Sequence, residues 1–177
     1  MLDVKPFQET LFAHMCGPAS LKMVLDFYGI DLPEHEIARR TGIIPNVGTE
    51  AKDLIRVAQE LGFDATVHDN CDYSDAERWL LRGTPLIVDW FTAGRRDYSN
   101  NDVPDGHYSV LMGMDDTHVY LQDPEIGGCR RIAKDDFLRV WFDFHGNEIN
   151  RSGLIVRQVI AIAPHSRSGE TTRYSSP

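Results

Sequence analysis

A chain of 177 residues, 42% apolar and 25% charged, is long enough for one domain with a real core and has the balance of a soluble globular protein. Its 18 basic residues against 27 acidic ones, a net charge of −9, argue against a nucleic-acid surface and carry no specific message about substrate. No apolar N-terminal run precedes a small-residue cleavage site and no apolar segment reaches about 18 residues, so secretion and membrane spanning are not expected and a cytoplasmic location is. Three cysteines without a Cys-x-x-Cys pair make neither a disulfide framework nor a zinc site.

Residues 1–15 form a lead-in containing Gln8 and His14, and the chain then enters HMCGPASLKMVLDFYG. Leu21, Val24, Leu25 and Tyr28 recur at the spacing of one helical face, and Met23 and Phe27 widen it until the helix must be internal. Pro18 suits the first turn and Gly29 the left-handed residue that closes a helix. Cys16 therefore stands at a helix N-terminus, where unpaired N–H groups favour a thiolate. Pro33 opens a second helix that Gly42 stops, and Thr49 is expected to cap a third, whose inner face is Ala51, Leu54, Ile55 and Ala58.

Phe63, Ala65 and Val67 alternate with polar residues as a half-buried strand does, and Ser74 with Glu77 reads as a capping box for a helix through Trp79 and Leu80. LIVDWF at 86–91 is a buried apolar strand. A long polar loop from Thr92 to Gly106 follows and is expected to border a substrate groove, because it delivers the chain to His107 at the start of HYSVLMGM. Asp115 and Asp116 turn the chain into HVYLQ, which Asp123 and Pro124 end. A strand near Arg130, a helix with Phe137, Leu138 and Trp141, and a last strand LIVRQVIAIA complete the domain at residue 164. Residues 165–177 are polar and read as a disordered tail.

A cysteine nucleophile needs a histidine base, a group that orients the base, and donors for an oxyanion. His107 and Asp123 stand at the start and end of successive strands, which an antiparallel pairing would bring together, so Cys16, His107 and Asp123 form the candidate constellation. His14 is too close along the chain to be the base without a sharp fold-back, and is read instead as lining the site with Gly106. The remaining five histidines have no acidic or thiol partner visible in the sequence, and no metal-ligand spacing links them.

Gln8, CGPASLKMVLDFYG, GTEAKDLIRVAQELGF, GHYSVLMGMDD and VYLQDP together resemble the papain-like cysteine peptidases of the bacteriocin-processing, double-glycine type, across most of residues 5–125. The resemblance implies an α+β papain-like fold, a nucleophile helix packed on an antiparallel sheet, acting on a peptide or protein substrate without a cofactor. It implies Cys16 as nucleophile, His107 as base, Asp123 as orienter and Gln8 in the oxyanion hole. In the family the glutamine usually stands two residues closer to the cysteine than Gln8 does, so this assignment requires a bulge around Phe12 to His14. Relatives are often fused to a transporter; this chain reads as a stand-alone version. The same framework also suits an acyltransferase or amidase, and a non-catalytic peptide-binding module would keep the groove alone.

Overall fold

The structure is a computed structural model that describes residues 1–11, 14–43, 48–92, 106–145 and 149–165. The expected polar loop at 93–105, most of the expected bulge (Phe12 and Ala13) and the tail from 166 onward lie outside the described residues. Three helices come first: α1 (Cys16–Phe27), α2 (Glu34–Thr41) and α3 (Ala51–Glu60). Then follow β1 (Phe63–His68), α4 (Tyr73–Leu81), β2 (Leu86–Phe91), β3 (Gly106–Met114), β4 (His118–Asp123) and β5 (Gly128–Ala133). The described chain closes with α5 (Lys134–Val140), β6 (Phe142–Phe144), a 3₁₀ turn (Arg151–Gly153), β7 (Leu154–Val156) and β8 (Val159–Pro164).

Six strands form one antiparallel sheet in the order β1-β8-β2-β3-β4-β5. Alternation along its strands sends side chains to two apolar layers. One layer holds Leu21, Val24 and Leu25 of α1 with Leu54 of α3, packed on Ile87, Val110 and Ile160. The other holds Trp90, Leu111 and Leu121 with Phe137 and Trp141. Every residue of α1 from Cys16 to Leu25 is buried, which follows from an apolar face too wide to be left in water. Lys22 is the charged member of that run, and its ammonium is held by Asp26, Asp31 and the Leu32 carbonyl.

The lead-in segment is strapped along the sheet. Leu2 N–H donates to Met112 O at 2.7 Å, the Gln122 side chain donates to Val4 O at 2.8 Å, and Glu9 N–H donates to Pro124 O at 2.9 Å. Residues 1–9 thus run beside β3 and β4 and reach the turn after Asp123.

Three local expectations are corrected. The residue that caps α3 is Glu50 rather than Thr49; Glu50 is extended, while Thr49 packs against Gly17 at the mouth of α1. The capping box of α4 is Asp72 with Asp75, not Ser74 with Glu77. That helix begins earlier because Tyr73 is anchored, its hydroxyl on Lys134 O and its ring stacked on Trp141. The last strand is two: Arg157 adopts φ 49°, and the break sends Leu154–Val156 to pair with β6 while Val159–Pro164 enters the main sheet.

Candidate active site

Cys16 is the first residue of α1, and the N-cap, Met15, supplies no side-chain hydrogen bond to the first turn. No acidic residue occupies that turn either. The N–H groups at this end, which have no partner within the helix, are therefore left for an anion. Gly17 is required here for closeness: a Cβ would lie 3.1 Å from the Thr49 side chain and 3.4 Å from the Tyr108 ring.

His107 comes from the start of β3 and Asp123 from the end of β4, and the antiparallel pairing of these strands joins them, Nε2 to Oδ1 at 2.8 Å. Asp123 is fully buried and His107 is 7% exposed. The Asp123 carboxylate also accepts from Arg130, which is itself buried, and from Glu125 N–H at 2.9 Å. Burial works against its charge, but the hydrogen bond to His107 and the Arg130 cation outweigh it and hold the carboxyl below the usual range. An ionised Asp123 fixes the His107 proton on Nε2. Cys16 lies close enough to the ring to act on its charge. Burial opposes charging of the ring, yet the bond to Asp123 and the nearness of Cys16 prevail and raise its pKa well above the ordinary value. The raised pKa favours the imidazolium form. Trp90 meets the ring edge-on with centroids 5.5 Å apart.

Cys16 opens into a cleft of about 280 Å³ lined also by His14, Asp89, Gly106, Tyr108 and Asp143. His14 reaches it in a left-handed conformation, φ 72°, the sharp reversal its position along the chain demands. Gly106 has no room for a side chain, because a Cβ would fall 1.9 Å from the Asp143 carboxylate. A larger apolar hollow of about 490 Å³ between Leu138, Trp141, Phe142 and Leu154 contains none of these titratable groups, and the chemistry lies with the smaller cleft.

Gln8 sits on the turn after Asp123, its amide donating to Glu125 O at 3.0 Å. Gly127 makes room for it, since a Cβ there would lie 2.7 Å from that of Gln8. The structure thus bonds His107 to Asp123 and sets Cys16 close to the ring, with His14 and Gly106 in the cleft wall and Gln8 bonded to the neighbouring turn.

Sequence reasoning passed over Asp89, Asp143, Arg130 and Glu9. A carboxylate inside LIVDWF is the signal that could have found Asp89; Arg130 and Glu9 carry none before the strands are paired. Glu9 is carried by the strap to the neighbourhood of His107, and its Oε2 is buried without a hydrogen-bond partner among the described residues. Burial raises its pKa from 4.5 to about 7, the His107 charge opposing and Glu125 and Glu34 assisting. The folded chain then holds a proton that the unfolded chain releases, so the stability tied to this group is present below about pH 4.5 and is lost as pH rises through about 7. Glu9→Gln is expected to flatten that loss, read as a smaller difference between urea midpoints at pH 5 and pH 8. An unchanged difference would mean that Glu9 is solvated.

The peptidase C39 family model matches residues 12–144, more than half of the chain. The chain belongs to the peptidase C39 family. An uncharacterized protein of Methanothermobacter marburgensis is 28% identical over 140 residues, 76% of this chain and 79% of that protein. Among solved structures, the chain is similar to a C39-like peptidase from Bacillus anthracis, at TM-score 0.69 and 18% identity, with 93% of this chain and 96% of that one covered. It is also similar to the peptidase domain of Streptococcus ComA, a bifunctional ABC transporter of a quorum-sensing pathway, at TM-score 0.64 and 21% identity over 91% and 98% of the two chains. A third is a double-glycine-motif protease from an AMS/PCAT transporter in complex with its leader peptide, at TM-score 0.62 and 21% identity over 92% and 96%. The fold is the α+β fold of C39 peptidase domains. No helix among the described residues is long and apolar enough to cross a membrane.

Proposed function

We propose that this chain is a cysteine-type peptidase that hydrolyses peptide bonds through Cys16, His107 and Asp123 by way of a thioester. One arrangement carries the reading: a buried imidazole bonded through Nε2 to Asp123 and close to a thiol at a helix N-terminus that no side chain caps. The thiolate attacks the carbonyl carbon, and the developing oxyanion is met by the Cys16 N–H. Gln8 supplies the second donor by turning its amide away from the Glu125 carbonyl. Collapse breaks the C–N bond, and the His107 imidazolium gives its proton to the departing amine. The neutral ring then takes a proton from water, whose oxygen attacks the thioester and releases the acid and the Cys16 thiolate, with the proton back on His107. Asp123 keeps the ring in one tautomer throughout.

The leader peptide bound by the AMS/PCAT relative supports an extended peptide segment as the substrate. The test is incubation with synthetic peptides carrying a Gly-Gly pair before the expected scissile bond, with and without an added primary amine, followed by mass spectrometry. Products that differ from substrate by one added water, with the amine present or absent, are expected. Amide adducts of the added amine would assign acyl transfer instead, and intact peptides throughout would overturn the reading.

A further inference from the structure

Gln158 stands where the chain leaves β7 for β8, and it is 4% exposed although it lines the cleft beside Cys16. One end of its amide is fixed. Nε2 donates to Asp69 Oδ1 at 2.8 Å, and because a carboxylate only accepts, that bond sets which end of the amide is nitrogen. Oε1, at the other end, is buried with no hydrogen-bond partner among the described residues. Thr49 belongs to the same cleft wall, just before α3, and packs against Gly17 at the mouth of α1. Its hydroxyl oxygen is also buried without a partner among the described residues. A buried polar atom left unpaired is costly, and here two of them belong to residues that line one cleft.

The backbone that carries Gln158 is held in strained conformations. Among the described residues three that are not glycine have positive φ: His14 at 72°, Asn70 at 57° and Arg157 at 49°. His14 lines the cleft, Asn70 follows Asp69, and Arg157 precedes Gln158. Asn70 N–H donates to Val156 O at 2.7 Å and Cys71 N–H to Arg157 O at 3.1 Å, so the two reversals brace each other. Trp141 Nε1–H adds a bond to Gln158 O at 3.1 Å. Left-handed backbone persists only where its surroundings over-determine it, and such strain gathers at ligand sites. Here it presents the bonded Asp69 and Gln158 side chains to the cleft as one braced unit.

Resting on the peptidase reading, we propose that Gln158 and Thr49 form a subsite for the side-chain carboxamide of an asparagine or glutamine close to the scissile bond of the substrate. A primary carboxamide carries both halves of the required pairing. Its N–H donates to Gln158 Oε1, and its carbonyl oxygen accepts from the Thr49 hydroxyl. Gln158 meets it by rotating about its terminal torsion, which is broad, while Asp69 keeps the nitrogen end turned to itself. An apolar side chain of the same shape would leave both atoms unpaired, and a carboxylate would bring Gln158 Oε1 an oxygen without a proton.

The test uses the full chain and peptides that carry the Gly-Gly pair, with Gln, Met, Glu or Lys placed either directly before the pair or directly after the scissile bond. At one of these positions kcat/KM is expected to be on the order of tenfold higher for Gln than for its near-isostere Met, with Glu and Lys below Gln. Thr49→Val keeps the shape that packs on Gly17 and removes the hydroxyl; Gln158→Met removes the acceptor. Each should bring the Gln and Met peptides within about twofold of one another by lowering the rate on Gln while the rate on Met stays. A merely structural role would lower both rates together and keep their ratio. Equal rates on all four peptides, a Lys peptide cut as fast as the Gln peptide, or a Gln preference that survives both substitutions would overturn the subsite and leave the peptidase reading standing. No cleavage of any peptide by the unsubstituted chain would remove the peptidase reading and the subsite with it.

Discussion

Cys16→Ala is expected to lower peptide hydrolysis by on the order of 10⁶, while Cys71→Ala and Cys129→Ala retain activity. The three thiols differ in surroundings. Cys16 is 9% exposed, opens into the cleft and lies close to His107. Cys71 is buried beyond β1, where its thiol donates to His68 O at 3.6 Å. Burial, with the charges of Asp75, Asp69 and Asp72, pushes its pKa up to about 11, so at neutral pH it is a thiol without nucleophilic character. Cys129 is exposed on β5. Cys16→Ser would preserve the shape, but a hydroxyl has no anion to offer near neutral pH, so it is expected to be nearly as inactive. Rates measured on one peptide for the four single variants, with circular dichroism as a folding control, would decide the matter. Activity retained by Cys16→Ala would refute the mechanism.

The second large effect is expected at Asp123, and it separates two substitutions that look alike on paper. Asp123→Ala removes the buried carboxylate that Arg130 donates to and leaves the guanidinium with Glu125, at 3.2 Å. Breaking a buried ion pair from one side costs up to about 3–5 kcal/mol, to be read from urea unfolding at neutral pH. It also frees His107 to adopt the wrong tautomer, and the rate is expected to fall by on the order of 10² to 10⁴. Asp123→Asn is a milder change for the ring, since its amide oxygen can still accept from Nε2–H. What it removes is the negative charge that lifts the His107 pKa. The alkaline limb of the rate profile should therefore move to lower pH, toward an ordinary histidine. The same linkage acts on stability. The part owed to His107 is fully present below about pH 6.5 and is lost as pH rises through its raised folded-state pKa. In Asp123→Asn that loss is expected at lower pH. A profile that does not move would mean that the carboxylate acts only as a clamp on Arg130.

The parts of the molecule that the sequence makes legible are those set by local pattern. Leu21, Val24, Leu25 and Tyr28 mark α1 because a helix repeats its own face, and Cys16 falls at its start for the same reason. The pairing of β3 with β4 could be argued because a short turn joins them, and Asp115 holds that turn by accepting from Thr117 and His118 N–H. Where distant contacts decide, the sequence is silent. Tyr73 starts α4 early because of Trp141 and Lys134, and Arg157 splits the last strand because β6 needs a partner. Asp89 and Asp143 are far apart in the chain, and only the docking of β6 against Phe91 brings them together. Gln8 shows the limit from the other side. Its residue type fits the family pattern, but the strap sets where its amide lies, and the strap depends on Met112, Gln122 and Pro124.

The course of the lead-in has a practical consequence for anyone cutting expression boundaries. A fragment trimmed to the family-matched span, 12–144, would begin after Glu9 and end before β8. Losing the strap would uncover Gln122 and the Pro124 carbonyl. Losing β8 would remove the strand that joins β1 to β2 inside the sheet, and with it Val159, Ile160 and Ile162 of the two apolar layers. Such a fragment should be recovered as insoluble aggregate through its unpaired strand edges. A clone that starts at Met1 and runs through Pro164 keeps both the strap and β8, and a bulky N-terminal fusion without a linker would press on the strap that leads to the turn after Asp123.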